Sequence, residues 1–260
     1  MKFHWMNRGD ISSVHEIKEL SKKLEASGYY SVLLTYHSKN KDFLIKSFAA
    51  ASKDQKLKYM LAVRTYAITP EYMTMICRSY QEEFPDKLIL NVVSGDIHSD
   101  ETSMDDIVWF SKYLDTPEKR LDYTKDWMVK FKNLSKYYYP EIFMAGHSQE
   151  TRKIANDFNA THISMLDMYK SYLNLPNRVI NKKQMVSLSI LIRDSKKEAE
   201  DFIQSNAMGN GLGWTLYGTQ DEVIGQIKDL SSLGVTDIII AKINNDEKEG
   251  LIHETIRGLA

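Results

Sequence analysis

Eight short, nearly continuous apolar runs alternate with stretches that repeat apolar residues at helical spacing, and this alternation restricts the chain to very few architectures. The runs fall at residues 3–6, 30–36, 57–64, 87–93, 141–145, 160–165, 184–192 and 236–241. They are rich in branched residues and too short for typical helices, so they read as strands buried on both faces. Between them, Val14, Ile17, Leu20 and Leu24 recur at helical spacing until Gly28 stops the pattern. Similar amphipathic stretches cover 42–51, 70–84, 148–158, 167–175, 196–207, 219–233 and 251–259. Strands that alternate with helices in this way form a parallel sheet covered by helices. Eight such units in 260 residues match a (β/α)8 TIM barrel, with an open doubly wound sheet as the structural alternative. No composition shift or linker marks a boundary, so residues 1–260 form one domain. The long connection at 97–139 and the Gly209–Gly213 turn region lie over one end of such a barrel.

Charge and composition narrow the partners. The formal net charge is -1 and both signs are spread along the chain, which gives no basic stripe for nucleic acid or an anionic membrane. No apolar run is long enough to span a bilayer, and the first residues lack the apolar core of a signal peptide. The single cysteine, Cys77, excludes an intramolecular disulfide framework and suits a reducing compartment. A soluble cytoplasmic protein acting on small molecules or proteins is the expectation.

In a barrel, the residues that follow each strand converge on one face. The pattern nominates Asn7 and Arg8; Tyr36, His37 and Ser38; Arg64 and Tyr66; Ser94 and Asp96; Gly146, His147 and Ser148; Asp167; Arg193; and Lys242. Asn91, inside the fourth strand, must find hydrogen-bond partners, either in a ligand or in a neighbouring loop. The segment Phe143–Glu150 places strand, glycine, polar pair and helix start in direct succession. Its unpaired N–H groups and helix dipole favour an anion such as a phosphate, while Ser148 also suits an ordinary N-cap. The histidines are scattered without metal-ligand spacing, and neither a nucleophile elbow nor a Walker loop occurs.

The segments Gln55–Arg64, Lys87–Asp96, Phe143–Ala155, Val186–Glu198, Trp214–Glu222 and Leu233–Ile240 resemble, in order, the bacterial luciferase-like flavin monooxygenases, nearest the alkanesulfonate monooxygenase branch. The resemblance implies FMN held at the C-terminal ends of the barrel strands, with Asn91 and Ser94 near the flavin ring and Gly146, His147 and Ser148 around its phosphate. It implies Tyr36, His37, Arg64 and Tyr66 on the substrate side. It further implies a separate NAD(P)H-dependent reductase that supplies reduced flavin, oxygenation of a small organic substrate by O2, and a homodimer.

Several positions depart from the branch. Ser187 and Ser189 stand where it has an Arg and a His, Arg8 replaces a His, and Met165 replaces a Trp. Its Arg-Tyr-Glu is Arg120-Leu121-Asp122 here, with Tyr123 as a substitute phosphate contact, and its insertion after strand seven is cut to about 205–213. A non-enzymatic flavin-binding protein of the same fold therefore stands beside the monooxygenase. A barrel enzyme for a phosphorylated metabolite is a third reading.

Overall fold

A computed structural model describes residues 1–7, 13–35, 42–94, 114, 116–205, 212–243 and 246–260. In chain order the elements are β1 (Lys2–Asn7), α1 (Val14–Ala26), β2 (Ser31–Leu34), α2 (Phe43–Ala50), β3 (Lys58–Arg64), α3 (Pro70–Glu83), β4 (Leu88–Val93) and α4 (Pro117–Leu134). They continue with β5 (Glu141–Ala145), α5 (Gln149–Asp157), β6 (Thr161–Met165), α6 (Leu166–Leu173), β7 (Gln184–Ile192), α7 (Lys196–Ser205), β8 (Thr215–Gly218), α8 (Gln220–Ser232), β9 (Asp237–Ala241) and α9 (Glu249–Leu259).

Eight of these strands close a ring. Each pairs in parallel with the next from β1 to β7, and β9 pairs with β7 on one side and with β1 on the other. The chain is a (β/α)8 barrel, and the doubly wound alternative fails because both would-be edges are paired. All eight expected barrel strands form. The ninth, β8, was not expected as a strand: its four residues are too few to show a period, and it joins no closing pair. It pairs only with the end of β7, Ser189–Ile192, after β7 has spent its beginning on β6 and β9.

Local chemistry sets the helix boundaries. Ser13 and Glu16 form a reciprocal capping box at α1, and Thr219 and Glu222 form another at α8. Thr69 and Thr116 cap α3 and α4, each followed by a proline suited to the first turn. Gly28 ends α1 at φ 79°, and a Cβ there would lie 2.7 Å from the Ala260 Cβ. Both the dihedral and the contact call for glycine.

Period-two alternation divides the core in two. Leu33, Met60, Ile89, Phe143, Ile163, Met185 and Ile239 fill the inside of the ring, while a larger apolar layer packs the outer wall against the helices. The N-terminal end of the ring is closed by a polar floor. There the His4 ring bonds Ser31 Oγ at 2.6 Å through Nδ1 and Asp237 Oδ1 at 3.0 Å through Nε2. Tyr30 donates to Glu141 at 2.7 Å, and the Lys2 ammonium reaches the same carboxylate at 3.1 Å. With the floor sealed, only the C-terminal end is left to receive a ligand.

His4 and His162 are both 0% exposed, and burial lowers the pKa of each, that of His162 to about 3. The unfolded chain then binds protons near pH 6.5 that the folded chain refuses, so stability falls as pH drops below about 6.5 and continues to fall toward the folded pKa. We expect His162 to contribute about 1.4 kcal/mol of loss per pH unit over that window. Urea unfolding at pH 7 and pH 5.5 should show a smaller pH difference in His162→Gln than in the native chain, and equal slopes would contradict it.

Candidate active-site rim

The wall below the rim is apolar apart from Asn91 and two serines of β7. Asn91 lies in register between Ala62 of β3 and Phe143 of β5, is 6% exposed, and its Oδ1 has no hydrogen-bond partner among the described residues. An acceptor stranded in this way costs about 1–3 kcal/mol unless something donates to it. At the same level of the interior, β7 contributes Ser187 and Ser189, both buried. Neutral hydroxyls therefore occupy the positions where the resembling branch has an arginine and a histidine, and the wall carries no charge there.

At the rim, β3 ends in Arg64, whose guanidinium donates to the Tyr66 hydroxyl at 2.8 Å. The two side chains expected together on the substrate side are thus joined by a hydrogen bond. Ser94, just past β4, is half-buried. His37, with Tyr36, Ser38, Arg8 and Asp96, lies outside the described residues.

The turn from β5 to α5 has the expected form but divides its work differently. Ser148 Oγ accepts from the Thr151 N–H at 3.1 Å and so caps α5. The ordinary cap is therefore realised, and the backbone N–H groups of the first turn that it leaves unpaired are the donors open to an anion. A Cβ on Gly146 would lie 2.6 Å from Thr151 Cγ2, so the glycine is required by the chain's own packing, whatever ligand approaches. His147 is exposed, its pKa lowered by partial burial and by Arg152 against an opposing effect of Asp167.

Other nominated residues are committed elsewhere. Arg193 is buried, pairs with Asp246 at 3.0 Å and stacks over Phe202, tying the segment after β9 to the end of β7. Lys242 pairs with Glu249 at 3.4 Å. Arg120 donates to the Leu114 carbonyl at 3.0 Å, and Tyr123 is influenced by Glu71 of α3. Trp127 is core and bonds the Ile68 carbonyl; Trp214, also buried, ends the short 3-10 turn Leu212–Trp214 that leads into β8. Burial pushes the Cys77 thiol up to about 12, leaving it an inert packing group. Among the described residues no group of three or more His, Cys, Asp or Glu side chains is placed to hold a metal ion, and no helix is long and apolar enough to cross a membrane.

No protein-family model matches the chain, and no curated protein does. Solved structures share its fold. The coenzyme F420-dependent tetrahydromethanopterin reductase of Methanopyrus kandleri superposes with a TM-score of 0.68 at 12% identity, covering 98% of this chain and 97% of the reductase. A riboflavin lyase solved with modified FMN and riboflavin gives 0.70 at 12% identity, covering 100% and 91%. A long-chain alkane monooxygenase gives 0.69 at 13% identity, covering 100% and 90%. The likeness over nearly the whole length of both chains shows that this chain shares their (β/α)8 barrel fold. Sequence identity this low carries nothing beyond the fold.

Gly146→Ala should lower the unfolding free energy by about 1–3 kcal/mol, because Thr151 is buried and has little room to yield. Thr151→Ala in the same chain should recover part of that loss. A double-mutant cycle in urea measures the coupling, and strict additivity would show that Thr151 is not what forbids the side chain.

Proposed function

We propose that this chain is an oxidoreductase that uses a reduced flavin-type cofactor, FMN in the first instance, and O2 to oxygenate a small organic substrate. The observation that carries the reading is the stranded Asn91 Oδ1, a single acceptor facing the apolar interior under the open rim. A planar heterocycle with a ring N–H meets that requirement, and Met60, Phe143, Ile163 and Ile239 form the apolar interior around it. The start of α5, at His147 and Ser148 beyond Gly146, offers backbone donors to a terminal phosphate. Proteins that share the fold include two F420-dependent enzymes and a lyase solved with modified FMN, which supports a flavin-type group.

The bound flavin supplies the redox chemistry. The protein's own part would be to hold that group, with Asn91 as acceptor for a ring N–H and Ser94 as a further polar contact. It also excludes water with the apolar interior, and presents Arg64, Tyr66 and His37 to the substrate. The Arg64 guanidinium at the rim favours a substrate with an anionic or strongly polar end. Reduced flavin would come from a separate NAD(P)H-dependent reductase in the cytoplasm, and the oxygenase would act as a homodimer. The neutral Ser187 and Ser189 favour a second reading, a flavin-binding protein without oxygenase activity.

Titration with FMN should quench flavin fluorescence, and Asn91→Leu should weaken that binding at least tenfold while leaving apo stability unchanged or higher, since it removes an unpaired acceptor. Admitting O2 to the anaerobic complex with reduced flavin separates the two readings: a long-lived oxygen adduct identifies the oxygenase, and its absence with tight binding identifies the flavin-binding protein. Failure of both oxidised and reduced FMN to bind would overturn the assignment.

A further inference from the structure

A cavity of about 120 Å³ lies outside the barrel wall, lined by Arg152, Tyr169, Tyr172, Arg178, Asn181 and Gln184 among others. Its lining includes Ile180 and Gly234, which precede β7 and β9, so it lies toward the N-terminal end of those strands. Arg152 projects from the first half of α5 and is 2% exposed. Its guanidinium donates to Ser164 Oγ at 2.7 Å, to Gln184 Oε1 at 3.0 Å and to Asn181 Oδ1 at 3.2 Å, and it lies 3.6 Å from the centroid of the Tyr172 ring. Every one of these acceptors is neutral. No carboxylate pairs with Arg152 among the described residues, and its Nε has no hydrogen-bond partner there. Arg178 adds a second cation to the same cavity, held by a 2.8 Å bond to the Leu173 carbonyl.

A charge removed from water without a counter-ion is costly, and neutral acceptors return only part of the loss. Two guanidinium groups on one small cavity, one of them deeply buried with no carboxylate beside it among the described residues, define a site for an anion. Size limits which anion. About 120 Å³ corresponds to roughly four water molecules at about 30 Å³ each, far below the pocket a nucleotide or flavin requires.

We propose that this cavity binds a compact oxyanion of the size of orthophosphate, with the buried Arg152 guanidinium as the uncompensated charge in its wall and the exposed Arg178 as the second cation lining it. Tyr169 and Tyr172 shape the walls: their hydroxyls are committed to the Leu233 and Val179 carbonyls, and the Tyr172 ring lies against the Arg152 guanidinium. The site joins α5 and α6 to the segment that enters β7, so its occupancy stabilises the wall without using the rim, and it does not depend on the flavin reading.

The test uses the full chain and inorganic phosphate, with chloride at matched ionic strength as the reference. In ¹⁵N spectra of the arginine side chains, the Nε–H resonance assigned to Arg152 by its loss in Arg152→Gln should shift saturably with phosphate. Tm should rise with phosphate beyond its value in chloride. Arg178→Gln, a surface change that keeps the test readable should Arg152→Gln fail to fold, should weaken phosphate at least threefold and leave Tm in chloride unchanged. Absence of a saturable shift would overturn the proposal. So would a phosphate response unaltered by Arg178→Gln, since that would place the anion elsewhere, such as the start of α5.

Discussion

Ring closure between β9 and β1 is the constraint on which the other features rest. Five consecutive pairings, from Lys2 with Asp237 to Met6 with Ala241, join the two ends of the chain. They remove both sheet edges at once. The same junction builds the floor, because the bond from His4 to Asp237 links residues 233 apart in sequence across it. Burying that polar pair is tolerable only because Ser31 and Thr236 satisfy the remaining groups, at 2.6 Å from His4 and 2.6 Å from Asp237. A sealed floor and a filled interior then make the opposite rim the place where loops and helix starts can meet a ligand.

How much of this could be read from the sequence depended on whether the signal was local. The barrel strands were readable because each is covered on both faces and therefore apolar throughout, as in β7, whose nine residues are all buried. The start of α5 was readable from Ser148, since a cap acts within its own turn. β8 was not, because its strand character comes from the partner that β7 offers. The requirement for Gly146 was also hidden: the glycine itself is conspicuous, but the reason for it is a contact with Thr151 that exists only after α5 folds back over the turn.

Arg152 shows the same limit more sharply. In sequence it is an unremarkable member of an amphipathic helix; its burial arises because Ser164, Gln184 and Asn181 from other elements surround it. Asn91 was readable because a lone amide within an apolar strand is a local anomaly, although which of its atoms lacks a partner is a tertiary fact. The serines of β7 show how the same wall can be kept while its charge is removed. They preserve the inward-facing register and leave the polar chemistry of the rim to the loops and to Arg64 and Tyr66.

The arrangement of β1 and β9 also bears on how the molecule is made. β1 leaves the ribosome first, yet its second neighbour is the last strand to appear, so for almost all of synthesis the nascent sheet has an unsatisfied lateral border. At about 5–20 residues per second that border stays open for roughly ten seconds or more, with the apolar lining of the future interior uncovered beside it. Pairing over so great a sequence separation is also intrinsically slow, so the cell must shield the unfinished cylinder until its final stave arrives.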